Sequence, residues 1–234
     1  MAKESIKFLK KDHFYQDLKR KILTLELSPG SALDELSLST EYQISRTPLR
    51  EIFQRLSGEG YIEIISNRGA MVSSMDYHTI RNFFITAPMV YSSIGRLATQ
   101  NATRDQLNEL QDTQDNFRGA VENSSLEGMV FYNDSFHRII GDMANNPFLK
   151  PSYDRLLIDH TRIGRTFYRA NSDEMLNDLD EAVDHHEAMI EYIAIGDSER
   201  MVALTQAHWD LSKAHMERYV QPDPLPIDNI AHNS

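Results

Sequence analysis

Between residues 14 and 73 the spacing of apolar positions changes from helical to strand-like. Phe14, Leu18, Ile22 and Leu25 keep helical spacing until Ser28-Pro29-Gly30 breaks the run after Leu27. A short apolar-polar stretch, Leu36 to Tyr42, precedes a third segment from about Thr47 to Gly58. There Leu49, Ile52, Phe53 and Leu56 fall at i, i+3, i+4 and i+7 and predict the buried face of a helix. Tyr61-Ile62-Glu63-Ile64-Ile65 is rich in β-branched residues and reads as a strand. Ser66-Asn67-Arg68-Gly69 is a turn, and Ala70-Met71-Val72-Ser73 is a second strand. Three helices and a hairpin in this order predict a small winged helix-turn-helix.

Beyond Met75 strand-like alternation disappears and helical periods run with few breakers to about Val220. Helices are expected near 77–101, 103–122, 125–144, 147–170, 172–195 and 198–220. Their joints are rich in N-cap residues: Asn101-Ala102-Thr103, Asn123-Ser124-Ser125, Asn145-Asn146-Pro147, Asn171-Ser172 and Gly196-Asp197-Ser198. The expected fold is mainly α: an N-terminal winged helix-turn-helix over 1–75, an antiparallel all-α bundle of six to seven helices over 76–220, and a mobile tail over 221–234. Gln221-Pro222-Asp223-Pro224-Leu225-Pro226 cannot continue a helix.

Composition narrows the chemistry. The 234 residues contain no cysteine, which excludes disulfides and thiolate metal sites, so any metal must rest on His, Asp, Glu, Asn or water. The net charge of −11 argues against nucleic acid only if taken whole. Residues 1–75 carry 11 Lys and Arg against 10 Asp and Glu, a net +1, whereas residues 76–234 carry 13 against 25, a net −12. A near-neutral N-terminal unit can still bind phosphates if its cations share a face. The start, MAKESIKFLKK, leads into no apolar signal core, and no window reaches the roughly 18 apolar residues that span a bilayer; the expected setting is cytoplasmic, with no membrane partner.

Two groups of residues carry candidate chemistry. In Ser45-Arg46-Thr47-Pro48-Leu49-Arg50-Glu51, Ser45 or Thr47 can cap the third helix, and Pro48 is tolerated in its first turn. Arg46, Arg50 and Gln54 recur every four residues, off the buried stripe. Such a face suits the major groove of double-stranded DNA, where Arg pairs bidentately with guanine; on spacing alone it is equally a solvated stripe. Asn67-Arg68-Gly69 at a hairpin tip places a cation and a flexible Gly where a minor-groove or phosphate contact is made. In the helical region Asn133 and His137 share one helix face, while His186 and His208 lie on two later helices. Three imidazoles and one oxygen donor would hold Zn²⁺, Ni²⁺ or Mn²⁺ if they converge; otherwise they are ordinary core or surface histidines.

These residues bear a resemblance. Leu27-Ser28-Pro29-Gly30, Ser45 to Glu51, Leu56-Ser57-Gly58-Glu59-Gly60-Tyr61 and Asn67 to Val72 resemble the GntR superfamily of bacterial regulators in order and spacing over about 60 residues. The resemblance implies that Arg46, Thr47 and Arg50 approach bases and phosphates with Ser45 in support, and that Arg68 and Gly69 act from the wing. Arg96-Leu97-Ala98, Asn133 to His137, Asn145-Asn146-Pro147, His186 with Ile190 and Gly196-Asp197, and His208 are similar to the FCD effector domain of the fatty-acid-regulator-type subfamily. That resemblance implies a divalent metal, Zn or Ni, on Asn133, His137, His186 and His208, a homodimer, and a small-molecule effector of the carboxylate kind. His160, His185 and His215 do not match ligand positions.

Four departures stand out. Gln43 replaces a usual turn Gly, at a strain of about 1 kcal/mol. Leu36 stands where some relatives carry a phosphate-binding Arg. Asn133 replaces an Asp ligand. Ala87 and Tyr91 replace a cavity-facing Arg and Glu. Tyr91, Arg162 and Arg165 are therefore the candidate effector residues, with Arg169 on the same spacing; the alternative for the arginines is a solvated stripe. The leading reading is a ligand-responsive regulator, repressor action on a short pseudo-palindrome being expected of a dimer. A metal-free effector-binding regulator is the alternative. A metal-dependent enzyme with a DNA-binding appendage is the remote one, since no HExxH motif or phosphate-cradling Gly loop is present.

Overall fold

The computed structural model describes the backbone of residues 2–168 and 173–220 and the side chains of residues 9–168 and 177–211. The tail from 221 and the side chains of Arg169 and His215 lie outside these. The N-terminal elements are α1 (Ala2–Leu23), β1 (Ala32–Leu33), α2 (Glu35–Glu41), α3 (Arg46–Glu59), β2 (Ile62–Ile65) and β3 (Gly69–Val72). Leu49, Ile52, Phe53 and Leu56 of α3 do turn inward, against Phe14, Leu18 and Ile22 of α1, Leu38 of α2 and Ile62, Ala70 and Val72 of the sheet. The strands run antiparallel in the order β1-β3-β2, with Ile62 opposite Val72 and Ile65 opposite Gly69. β1 is a two-residue strand, too short to carry a period that a sequence pattern could reveal. The first helix ends at Leu23, earlier than its apolar spacing suggested, because Leu25 takes φ 56° and the Leu27 amide turns back to the Lys21 carbonyl at 3.0 Å. Gln43, at the helix-turn-helix corner, has φ 51°, the left-handed conformation expected of it.

The bundle follows as α4 (Tyr77–Asn101), α5 (Arg104–Glu122), α6 (Leu126–Met143), α7 (Lys150–Phe167), α8 (Asp173–Ile195) and α9 (Ser198–Val220). Side-chain caps start several of them: Asp76 for α4, the Thr103–Gln106 capping box for α5 and Ser125 for α6. α7 begins later than the sequence pattern indicated. Asn146 accepts hydrogen bonds from the Phe148 and Leu149 amides, forming a turn that delays the helix to Lys150. The bundle core gathers Phe83, Tyr91 and Ile94 of α4, Phe136 and Ile140 of α6, Tyr153 and Leu157 of α7, Met189 and Ile193 of α8, and Trp209 of α9.

α7 also joins the two halves. Ile158 packs into the N-terminal core. Arg162 is fully buried, donates to the Ser73 carbonyl at 2.8 Å and the Ser73 hydroxyl at 3.2 Å, and pairs with Asp159. Asp159 accepts a further bond from Arg155 at 3.0 Å. Arg155 in turn lies over Gly60, the residue that closes α3 with φ 90°. A Cβ on Gly60 would stand 2.2 Å from the Arg155 side chain. Gly60→Ala should therefore destabilise the protein by about 2 kcal/mol, from left-handed strain plus displacement of Arg155. Chemical denaturation checks this; an unchanged midpoint would show that α3 does not depend on this close approach.

Candidate functional site

The first site is the exposed side of α3. Ser45, Arg46, Thr47, Arg50 and Gln54 are exposed, as are Arg68 and Gly69 at the hairpin turn, where Asn67 and Gly69 take φ of 63° and 81°. Ser45 occupies the N-cap position, yet its hydroxyl makes no capping bond; neither of the two expected caps is seen there. Arg50 is 65% exposed and pairs with Glu35 of α2 at 3.1 Å. An exposed pair of this kind is worth only about 0–1 kcal/mol, so a guanine or phosphate can displace Glu35 with little penalty. Leu36, at the position where a phosphate-binding Arg was looked for, is 64% exposed.

The second site is inside the bundle. Asn133 and His137 of α6, His186 of α8 and His208 of α9 are all buried and converge. Ring centroids lie 5.2 Å apart for His137 and His186, 5.7 Å for His137 and His208, and 5.0 Å for His186 and His208. His160, set aside on sequence grounds, is buried in the same cluster, 4.5 Å from His137 between centroids. One nitrogen each of His137, His160 and His208 lies within 4.8 Å of the others. The signal for His160 was present but weak: it falls on the bundle-facing stripe of α7 with Tyr153, Leu157, Gly164 and Phe167, spaced by four and three residues.

The local bonds fix which nitrogens are free. The Gln114 amide group donates to the Val183 carbonyl at 3.2 Å and to Glu187 at 3.1 Å, so its oxygen faces His186 Nδ1 at 3.0 Å and must accept from it. His186 is therefore the Nδ1–H tautomer, and its lone pair lies on Nε2. His186 Nε2, His137 Nε2 and His208 Nδ1 are buried without hydrogen-bond partners. Tyr91 places its hydroxyl 3.0 Å from His160 Nδ1. Burial pushes all four imidazoles down from their ordinary value, His160 to about 4, His186 to about 3, and His137 and His208 well below it; repulsion among neighbouring rings adds to burial for all but His160. At neutral pH the cluster is uncharged and rich in lone pairs, the state in which imidazole ligates a metal. Three orphaned nitrogens in a dry interior fit a divalent cation better than a hydrophobic core does.

The candidate effector residues separate. Tyr91 borders the cluster, but Arg162 does not face it: its guanidinium is spent on Ser73 and Asp159 at the domain junction, where it meets acceptors. Arg165 is half-buried and borders neither of the cavities beside the histidines. Those cavities are about 10 and 20 Å³, one lined by Tyr91, His137 and His208, the other by Asn133, His160 and His208. Each has room for about one water molecule. A larger cleft of about 770 Å³ lies between α1 and α6; none of the four clustered histidines lines it, and its Arg20 and Arg138 are engaged by Asp17, Glu26 and Asp134.

Known proteins share both halves. Residues 10–72 match the gntR family of bacterial regulatory proteins, and residues 90–211, more than half of the chain, match the FCD domain. The chain is similar to the HTH-type transcriptional repressor RspR of Escherichia coli (strain K12), 28% identical over 131 residues, or 56% of this chain and 58% of that protein. It is also similar to the Nta operon transcriptional regulator of Aminobacter aminovorans, 31% identical over 123 residues, or 52% of this chain and 58% of that one. The matched segment thus spans less than two thirds of the length of these relatives. In fold it is similar to E. coli McbR/YncC, with a TM-score of 0.76 at 19% identity over 91% of this chain and 99% of that one.

The Gln114 bond has a direct readout. Long-range ¹⁵N correlation spectra of metal-free protein at pH 7 should show His186 as the Nδ1–H tautomer, the minor form in water. An Nε2–H signal for His186 would contradict the arrangement.

Proposed function

This chain belongs to the gntR family of bacterial regulatory proteins and carries an FCD domain, and from that premise we propose that it is a DNA-binding transcriptional repressor that acts as a homodimer on a short pseudo-palindromic operator. One observation carries the reading: α3 buries one stripe completely and leaves Ser45, Arg46, Thr47 and Arg50 exposed along its first turns. In this reading Arg46 and Arg50 pair with guanine edges or phosphates in the major groove, supported by Ser45 and Thr47. Arg68 and the flexible Gly69 reach the minor groove or backbone from the wing. The near-neutral N-terminal half makes binding depend on those few cations, and therefore on salt. Among the described residues no helix is long and apolar enough to cross a membrane.

The bundle is proposed to hold a divalent metal, Zn²⁺ or Ni²⁺, on the family positions Asn133, His137, His186 and His208. When bound, such an ion offers a positive centre with open positions for water or an effector carboxylate. The two small cavities leave no room for a larger organic acid in this conformation, so such an effector has to open the bundle, with Tyr91 at the opening. The route to DNA is α7, which carries His160 in the cluster and Ile158 and Arg162 on the DNA-binding half. A ligand acts through that route by its differential affinity for two arrangements of the halves. Membership in a family of regulators favours this over a metalloenzyme.

Arg46→Ala with Arg50→Ala should weaken binding to a selected operator by at least about a hundredfold, each bidentate pair being worth about 1–3 kcal/mol, with fold and oligomeric state intact. Undiminished affinity in a gel-shift or anisotropy assay would remove α3 as the reading helix. His137→Ala with His208→Ala should abolish metal uptake by untagged protein, measured by mass spectrometry of the elements. Full stoichiometry in that variant would move the metal elsewhere.

A further inference from the structure

We propose that His160 is itself a metal ligand in this chain, supplying the strong donor that Asn133 does not. The inference rests on the metal reading above and extends it to a residue outside the family's four ligand positions. Of the ring pairs in the cluster, His137 and His160 are the closest at 4.5 Å between centroids, and a nitrogen of His160 lies within 4.8 Å of nitrogens on both His137 and His208. His160 and Asn133 line the same cavity of about 20 Å³ together with His208.

Chemistry favours the imidazole. A carboxylate at position 133 would neutralise half the charge of a divalent ion; the amide of Asn133 neutralises none and is a weak donor. Among the described residues no carboxylate joins the group that could hold an ion; it is made of His137, His160 and His208. An added imidazole compensates by donating more strongly to Zn²⁺, Ni²⁺ or Cu²⁺ than an amide oxygen does. The outer partner is also present. Tyr91 stands 3.0 Å from His160 Nδ1, so Nδ1–H can donate to the phenol oxygen and leave the Nε2 lone pair for the metal. Gln114 does the same for His186. Tyr91 thus becomes a positioning residue. A nitrogen-rich set of this kind selects against Mn²⁺, which prefers oxygen donors.

The test uses full-length, untagged protein stripped with chelator and titrated with Co²⁺, whose visible ligand-field spectrum reports donor number and type. His160→Gln should weaken Co²⁺ binding at least tenfold and alter the spectrum, whereas Asn133→Ala should weaken it by less than His160→Gln does. Tyr91→Phe, which keeps the ring packing and guards against a folding failure in the first variant, should weaken binding about tenfold and shift the spectrum in the same direction. Wild-type Co²⁺ uptake with an unchanged spectrum and affinity in His160→Gln, or a larger loss from Asn133→Ala, would overturn the role of His160 alone. A wild-type chain that takes up no Co²⁺, Ni²⁺ or Zn²⁺ would overturn the metal reading and this extension together. Mn²⁺ binding as tight as Zn²⁺ would also count against a nitrogen-rich set.

Discussion

The junction between the two halves depends on one buried guanidinium. Arg162 has no exposed surface, and burial opposes its charge while Asp159 favours it. A charge in that position is tolerated only with acceptors already in place, and these are Asp159 on its own helix and both oxygens of Ser73 just after β3. Its Nε is already without a partner, and withdrawing Ser73 would remove two more bonds from a buried charge, so the end of the wing and the middle of α7 are held as one unit. Gly60 under Arg155 and Ile158 in the N-terminal core bring α3 and α1 to the same helix.

Consecutive residues on a helix point about 100° apart, and α7 uses this fully. Ile158 faces the DNA-binding half, His160 faces the histidines and Tyr91, Thr161 donates to Asp134 of α6 at 2.7 Å, and Arg162 returns to Ser73. A helix enclosed on all sides cannot adjust one face without moving the others, because close-packed interiors transmit small displacements instead of absorbing them. The structure therefore places the candidate sensor and the candidate reader on either side of a single rigid element.

The histidine cluster shows how burial turns ordinary side chains into a ligand set. In water each imidazole would exchange tautomers and protonate near neutrality. Here burial disfavours the proton, Gln114 selects the tautomer of His186, and three nitrogens of the cluster are left without partners. The surface of α3 follows the opposite rule. Its cations stay hydrated, and Arg50 is held only by an exposed pair with Glu35 that DNA can replace.

Much of this was legible in the residues themselves. The stripe Leu49, Ile52, Phe53, Leu56 fixed which side of α3 is buried and hence that Arg46 and Arg50 face outward, because periodicity and burial are the same fact for an amphipathic helix. Capping residues likewise placed the joints of the bundle within a few residues, and the left-handed turn at Gln43 followed from local sterics. What depends on distant parts of the chain was decided only by the tertiary structure. Arg162 and Arg165 shared a spacing, yet Arg162 became a domain clamp because Ser73, 89 positions away, presents its acceptors there. His160 joined His137 and His208 for the same reason: spacing along one helix says which face a residue takes, while only packing between helices says what that face meets.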